Sequence, residues 1–241
     1  MQRHFDDLIQ ELLQKLVVMG RLAESMIGLA MKGLVERNET YYAEVKKKEA
    51  EVNQLQMEID DRAVKLTALQ QPVAADVRFL FMASRIGSEL ERIADQAINI
   101  CQNTHFVLQA PPLKPLIDVP IMADIAQKMV RDSLDALVKR DCALAERVLE
   151  EEDKVDAFRN QIFRELLTYM MADPGTIQRA LSLILISRNL ERVGDHATNI
   201  AEEVIYLVKG RDVRHQDIHH QHAPTESAKL PEPGAGATPS Q

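Results

Sequence analysis

The feature that most constrains the fold is an internal repeat. The stretch LERIADQAINI at residues 90–100 returns as LERVGDHATNI at residues 190–200, an offset of 100. Residues earlier in each copy match at an offset of 103; they include Met26 with Met129, Leu34 with Leu137, Val45 with Val148 and Glu49 with Glu152. A chain of this kind folds as two related units. Because deletions settle in loops, the three missing residues predict a turn at Asp173–Gly175, the sequence DPG.

Hydrophobic residues recur at helical spacing through each copy. In the first copy they predict helices over His4–Arg37, from an Asn38 cap to about Gln70, and from about Pro72 to Thr104. The last helix of the second copy is predicted to end near Lys209, with Gly210 as its C-cap. Between the copies, Gln109–Pro120 contains four prolines and is predicted to be a linker. The repeat is therefore a duplicated three-helix unit.

Composition favours an all-α soluble protein, since 46% of residues are hydrophobic, only 4% are aromatic and Trp is absent. The net charge of −8, without a basic stripe, argues against direct binding to nucleic acid. No apolar run is long enough for a signal peptide or a transmembrane segment. Cys101 and Cys142 are predicted to be small buried side chains in a reducing cytoplasm, not a disulfide.

Oxygen-bearing side chains recur every four residues in both repeated stretches. Each stripe holds two carboxylates and one amide: Glu91, Asp95 and Asn99 in the first copy, and Glu191, Asp195 and Asn199 in the second. Such spacing places all three on one helix face, where like charges repel by about 0.2–0.5 kcal/mol on an exposed helix. One helix earlier, the pair Glu152 and Asp156 matches Glu49 and Asn53. Doubled acidic pairs of this kind predict a neutralising partner.

Three kinds of partner remain open: a bound cation, arginine and surface water. If the acidic pairs of neighbouring helices face each other, their hard oxygen ligands suit Mg, Mn, Ca or Fe. Alternatively, Arg92, Arg188 and Arg192 neutralise the acids as surface ion pairs. Because Asn53 is neutral, the first site is predicted to be weaker than the second or differently populated.

Other polar residues of the stripes have simpler interpretations. Asn99 and Asn199 are predicted to donate hydrogen bonds between helices, and His196 is predicted to lie outside the stripe, exposed or in an outer position. The segment 211–241 is rich in His, Pro and Gly and is predicted to be a disordered tail.

Catalytic motifs are missing from the sequence. There is no Gly-rich phosphate loop, no Gly-x-Ser-x-Gly, no Cys-x-x-Cys and no Glu-x-x-His. We therefore predict that the protein is not an enzyme. The alternatives are a metal-dependent enzyme that uses the acidic clusters and a purely structural bundle whose acids bind nothing.

Several motifs together resemble the PhoU family. They are the two ER-x-x-D stripes, QPVAADVRFL at 71–80, LLTYMMADPGTI at 166–177 and YLVKGRDVRH at 206–215. The resemblance covers about residues 5–215 and implies two tandem, pseudo-symmetric three-helix bundles. We assign the first bundle to residues 4–108, the linker to 109–120, the second bundle to 121–210 and the tail to 211–241.

The resemblance also implies a metal-binding role, since members of this family bind metal ions or clusters through such acidic motifs. By motif match, the metal residues are Glu49, Glu91 and Asp95 in one bundle, and Glu152, Asp156, Glu191 and Asp195 in the other. The metal would be Mg, Mn, Fe or Zn. Asn53 departs from the acidic pattern of the family.

In function, the resemblance implies a cytoplasmic negative regulator of the phosphate-starvation response and of phosphate uptake. Its partners would be the ATPase subunit of a phosphate ABC transporter and the sensor histidine kinase of a two-component system. The protein would form a homodimer and act at the inner face of the membrane through these contacts. The sequence has no phosphate-binding motif, so the signal would arrive through the transporter.

Overall fold

A computed structural model describes residues 2–69 and 72–210, and the predicted tail lies outside this range. Six α-helices and one short 3₁₀ turn account for the regular structure of the described residues, which contain no strand. The helices are α1 Gln2–Val35, α2 Tyr41–Leu69, α3 Ala74–Leu108, α4 Asp118–Lys139, α5 Cys142–Ala172 and α6 Ile177–Lys209, and the 3₁₀ turn Pro174–Thr176 precedes α6.

Each half is a bundle of three helices. In the first half α1, α2 and α3 pack against one another, and in the second half α4, α5 and α6 do the same. The buried face of α2 is narrow and repeats every seven residues, as Val45, Val52, Ile59 and Leu66. The matching helix α5 buries Val148, Val155 and Ile162 with the same period. This agreement confirms the all-α fold of two pseudo-symmetric three-helix bundles.

The two halves share one hydrophobic core. Helix α3 packs along α6, and α1 packs along α4, so the four helices form the centre while α2 and α5 lie outside. Close approach of α1 to α4 depends on Gly20, because a Cβ atom there would collide with the side chain of Leu134. A polar link also crosses the interface, since Arg85 of α3 pairs with the buried Glu203 of α6 at 2.9 Å.

The helix ends agree with the predicted turns, with local differences. Asn38 caps the start of the second helix region by accepting a hydrogen bond from the Thr40 backbone at 3.0 Å. The DPG turn is present, with Asp173 accepting a hydrogen bond from the Gly175 backbone at 2.8 Å. Helix α3 extends to Leu108, beyond the predicted Thr104, because its last turn keeps burying apolar residues such as Val107.

The linker is shorter than predicted. Helix α4 begins at Asp118, so Pro120 lies in its first turn, where a missing N–H costs no helical hydrogen bond. Arg37 holds the beginning of the linker by donating to the carbonyl oxygens of Leu108 at 3.1 Å and Ala110 at 2.7 Å.

The cysteines differ from each other. Both are free thiols. Cys101 is buried, and burial raises the pKa of its thiol to about 12. Cys142 begins α5 and is only half-buried, so the prediction of two buried cysteines was wrong for this residue. Within the described residues, none of the helices has the length and apolar content needed to cross a membrane.

Candidate functional site

In the first half, α2 and α3 bring three acidic side chains into electrostatic contact. Glu91 and Asp95 lie one turn apart on α3, Glu49 lies on α2, and all three are half-buried. Burial raises the pKa of the Glu91 carboxyl, the negative charges of Asp95 and Glu49 raise it further, and the positive charge of Arg92 opposes them. Asn53 is exposed. The first half therefore contains repelling carboxylates.

In the second half, an arginine lies between the corresponding acids. Nη2 of Arg159, on α5, lies 3.6 Å from Oδ1 of Asp156 and 3.5 Å from Oε1 of Glu191 on α6. This guanidinium therefore bridges the two helices. Glu152 is half-buried one turn before Asp156 on α5.

The acids of the second half remain destabilised in their charged form. Burial raises the pKa of Glu191, and Asp195 and Asp156 add to this effect while Arg159 opposes it. Burial likewise raises the pKa of Asp195, with Asp156 adding to the rise and His196 opposing it. Arg159 thus offsets only part of the repulsion among three carboxylates.

The predicted ion-pair partners were incomplete. Arg92 and Arg188 influence Glu91 and Glu191 through their charge, but the close partner of Glu191 is Arg159, which the sequence analysis did not single out. A signal was available, because Arg159 follows Asp156 by three residues and so lies on the same helix face.

A metal-ligand geometry is not formed in the structure. Across residues 2–69 and 72–210, no three Asp, Glu, His or Cys side chains are arranged closely enough to hold a metal ion. The charge of Glu49 on α2 nevertheless acts on Glu91 of α3 and adds to the rise of its pKa, which burial and Asp95 mainly cause. Likewise, α5 and α6 hold Asp156 near Glu191 and Asp195.

His196 and Asn199 form a contact between the two halves. Nδ1 of His196 lies 2.8 Å from Oε2 of Glu89 on α3, and Asn199 donates to the same oxygen at 3.0 Å. The prediction for Asn199 is confirmed, whereas His196 is not exposed: 14% of its side chain is accessible. Burial would raise the pKa of Glu89, but the hydrogen bonds from His196 and Asn199 lower it below its ordinary value.

A cavity of about 540 Å³ opens beside the second acidic stripe. Its wall contains the three arginines Arg159, Arg188 and Arg192 together with Glu191 and Asp195. The Nε atom of Arg159 is buried and has no hydrogen-bond partner among the described residues. The arrangement therefore offers guanidinium donors as well as carboxylate acceptors.

Comparison with known families finds the PhoU domain twice in this chain, at residues 16–104 and 119–204. The two matches begin 103 residues apart and end 100 residues apart, which are the two offsets of the repeat. The duplicated unit of the sequence is therefore the family domain itself.

Relatives resemble the chain over most of its length. A Pseudomonas putida protein named "Phosphate-specific transport system accessory protein PhoU homolog" is 35% identical over 95% of this chain and 90% of its own. An Aquifex aeolicus protein of the same name is 37% identical over 87% of this chain and 95% of its own.

Solved structures show the same fold. The crystal structure of PhoU from Pseudomonas aeruginosa has a TM-score of 0.82 and 35% identity, over 86% of this chain and all 100% of its own. The phosphate transport system regulatory protein PhoU from Streptococcus pneumoniae has a TM-score of 0.79 and 25% identity, over 87% of this chain and 99% of its own. With both halves matched by the same domain, this chain belongs to the PhoU family.

Proposed function

We propose that this protein is a non-catalytic regulator of a phosphate-specific transport system. The observation that carries the proposal is the family match in both halves, together with relatives named as accessory proteins of such a system. It would act in the cytoplasm, restraining both phosphate uptake and the phosphate-starvation response when phosphate is plentiful. Its partners would be the ATPase subunit of the transporter and a sensor histidine kinase, with the protein itself acting as a homodimer.

A genetic experiment tests this role. Cells that lack the protein should express phosphate-starvation genes in phosphate-rich medium, and a plasmid copy should restore repression. Normal repression without the protein would count against the proposal.

The contact with membrane partners is proposed to involve an exposed apolar face, which we call the α5–α6 face. It consists of large side chains spaced four residues apart on two antiparallel helices: Phe163, Leu167, Met171, Ile177, Leu181 and Leu185. Exposed apolar patches of this kind are typical of interaction surfaces. The accessible fraction is 78% for Met171 and 49% for Leu181, so a charge placed there should not disturb the core.

Co-purification from membranes tests the proposed contact. Wild-type protein should retain the transporter when cells are grown in high phosphate, and Leu181→Glu should lose it. A matched control is Val18→Glu on α1, where 48% of the side chain is also accessible. Retention of the transporter by Leu181→Glu, or equal loss with Val18→Glu, would rule out the α5–α6 face as the contact.

Metal binding is a second part of the proposal. In ligand type and charge the repelling acids of the first half suit a divalent Mg, Mn, Fe or Zn ion, which would have to draw their side chains closer together than they stand in the structure. Bound there, a cation would be held by Glu49, Glu91 and Asp95 and would remove the repulsion. In the second half, Arg159 already supplies positive charge to Asp156 and Glu191. We therefore propose the first half as the principal metal site, although Asn53 led to the opposite expectation from the sequence.

Elemental analysis tests the metal proposal directly. Untagged protein without residues 211–241, which contain four of the seven histidines, should retain metal after dialysis. Glu91→Gln with Asp95→Asn should lose most of it, and Glu191→Gln with Asp195→Asn should lose less. Metal-free wild-type protein would favour a bundle whose acids bind no ion.

A further inference from the structure

The two halves differ in how their outer and inner helices are joined beside the acidic stripes. In the first half, Gln56 of α2 donates to the hydroxyl of Ser88 on α3 at 3.4 Å. One turn further along α2, Ser84 donates to Oδ1 of Asp60 at 2.6 Å. These two hydrogen bonds join α2 to α3, and in each of them the donor and the acceptor satisfy each other.

The corresponding positions of the second half form a cavity instead. The repeat offsets match Gln56 with Arg159 and Ser88 with Arg188, so two cations stand where the first half has a hydrogen-bonded pair. The next pair becomes Phe163 and Ile184, which cannot form the polar contact. All four of these residues line the 540 Å³ cavity.

The arginines of the cavity retain unused donors. The contacts of Arg159 at 3.5 and 3.6 Å are long for hydrogen bonds, and its Nε has no partner among the described residues. Neither Arg188 nor Arg192 forms a close ion pair within the described part of the chain. Three guanidinium groups line the wall with Glu191 and Asp195, and the charge of the neighbouring Asp156 balances the third of them, so the wall offers unused guanidinium donors without a net charge.

We propose that this cavity binds a phosphorylated small molecule, with its phosphate held by Arg159, Arg188 and Arg192. Guanidinium groups match the oxygen pairs of a phosphate with parallel hydrogen bonds, which explains why arginine and not lysine would occupy these positions. Ser187 and Asn160 add neutral hydrogen-bonding groups to the lining. The volume exceeds what a free phosphate ion needs, and Phe163 and Ile184 offer an apolar wall for an organic group. The site shares Glu191 and Asp195 with the weaker metal site and Phe163 with the α5–α6 face, so its arginines, which neither of those proposals uses, are the residues that test it.

Titration calorimetry on the metal-stripped, full-length protein tests the site. The probes are adenosine monophosphate, inorganic phosphate and, as the ligand without phosphate, adenosine. We expect saturable binding of adenosine monophosphate that weakens as salt is raised, weaker binding of inorganic phosphate and none of adenosine. If inorganic phosphate binds as tightly as the ester, the arginine site stands and its ligand is the free ion.

The test variants give the cavity the residues that stand at the matching positions of the first half, Gln56 and Ser88. Arg188→Ser should weaken binding about tenfold, the loss of one charge-assisted contact, and Arg159→Gln with Arg188→Ser should weaken it further. The matched control is Arg92→Gln, the position equivalent to Arg192 in the half without the cavity, which should bind as the wild type does. Because Arg188 and Arg92 are both exposed, the single variants Arg188→Ser and Arg92→Gln should keep the wild-type fold. No saturable binding of either phosphate probe, or an equal loss with Arg92→Gln, would overturn the proposal.

Discussion

At the scale of single residues, one substitution between the repeats separates the two acidic sites. Arg159 supplies a positive charge between Asp156 and Glu191, and its counterpart in the first half is the neutral Gln56. The same stripe is therefore set in two electrostatic environments. The repulsion should cost more free energy in the half that lacks the arginine.

We expect Glu91→Gln to stabilise the metal-free protein by about 0.2–0.5 kcal/mol, the size of an exposed like-charge pair on a helix. The pKa of Glu91 is raised above its ordinary value of 4.5, so the folded state disfavours the carboxylate. The gain should therefore be present at neutral pH and should disappear as the pH falls through the raised pKa towards 4.5. Urea denaturation in the absence of metal, repeated across this pH range, measures it.

The matched variant is Glu191→Gln, which also removes a repelled carboxylate but leaves Arg159 without one of its two partners. Its stabilisation should be smaller than that of Glu91→Gln, or reversed. An equal gain from both variants would show that Arg159 contributes nothing to the balance of charge.

The sequence predicted which acids share a helix face, because a spacing of four residues determines it. It did not predict that Arg159 would reach Glu191 or that Glu89 would accept hydrogen bonds from His196 and Asn199. Those contacts depend on how far apart α5 and α6, or α3 and α6, lie and on their rotation about their axes. The helical period fixes neighbours within a helix, whereas neighbours between helices follow from packing.

At the scale of helices, small residues determine how closely α1 and α4 approach. Gly20 and Gly28 both face α4, but a Cβ at Gly20 would collide with Leu134, whereas a Cβ at Gly28 would make ordinary contact with Gln127 at 3.5 Å. Both lie inside a helix, where glycine is about 1 kcal/mol less favourable than alanine. The two positions therefore separate helix propensity from packing.

We expect Gly28→Ala to raise the free energy of unfolding by about 0.5–1 kcal/mol through propensity alone. Gly20→Val should lower it by about 1–3 kcal/mol, the usual cost of overpacking a close helix contact. Thermal and urea denaturation measure both changes. Adding Leu134→Ala should recover part of the Gly20→Val loss, because it removes the side chain that the new methyl groups would meet. If the Leu134→Ala background does not reduce the loss, α1 and α4 do not meet at this point.

Helix number, order and most turns were predictable, since proline, glycine and asparagine mark where helices stop. The exact ends of the helices were less predictable. Helix α3 extends to Leu108, and α4 begins at Asp118, before Pro120. Helix α3 continues because its last turn buries apolar residues, and α4 begins before Pro120 because the first turn of a helix tolerates proline. Propensity alone could not reveal which of these effects would prevail.

At the scale of the whole molecule, the two repeats are not independent folding units. One continuous hydrophobic core includes residues of all six helices. A lone half would expose the faces of the helices that pack across the interface. The chain should therefore unfold as one cooperative unit despite its internal symmetry.

Glu89→Gln provides the test, because this carboxylate on α3 accepts hydrogen bonds from His196 and Asn199 on α6. At neutral pH we expect a loss of about 1–2 kcal/mol in the free energy of unfolding, with the same midpoint shift for spectroscopic probes placed in either half. The pKa of Glu89 is lowered from its ordinary value of 4.5, so the folded state favours its charge. The contribution should be fully present above 4.5 and should fade as the pH falls through the lowered pKa.

The control is Asp61→Asn, which removes an exposed ion pair with Lys65 within α2 and should change stability by less than about 0.5 kcal/mol. Two separate transitions, or a Glu89→Gln shift seen by the probe in only one half, would contradict a shared core. A single transition with equal shifts would mean that the duplication has produced one folding unit. In that case a ligand bound in either bundle would stabilise both, since anything that binds only the folded state stabilises the whole cooperative unit.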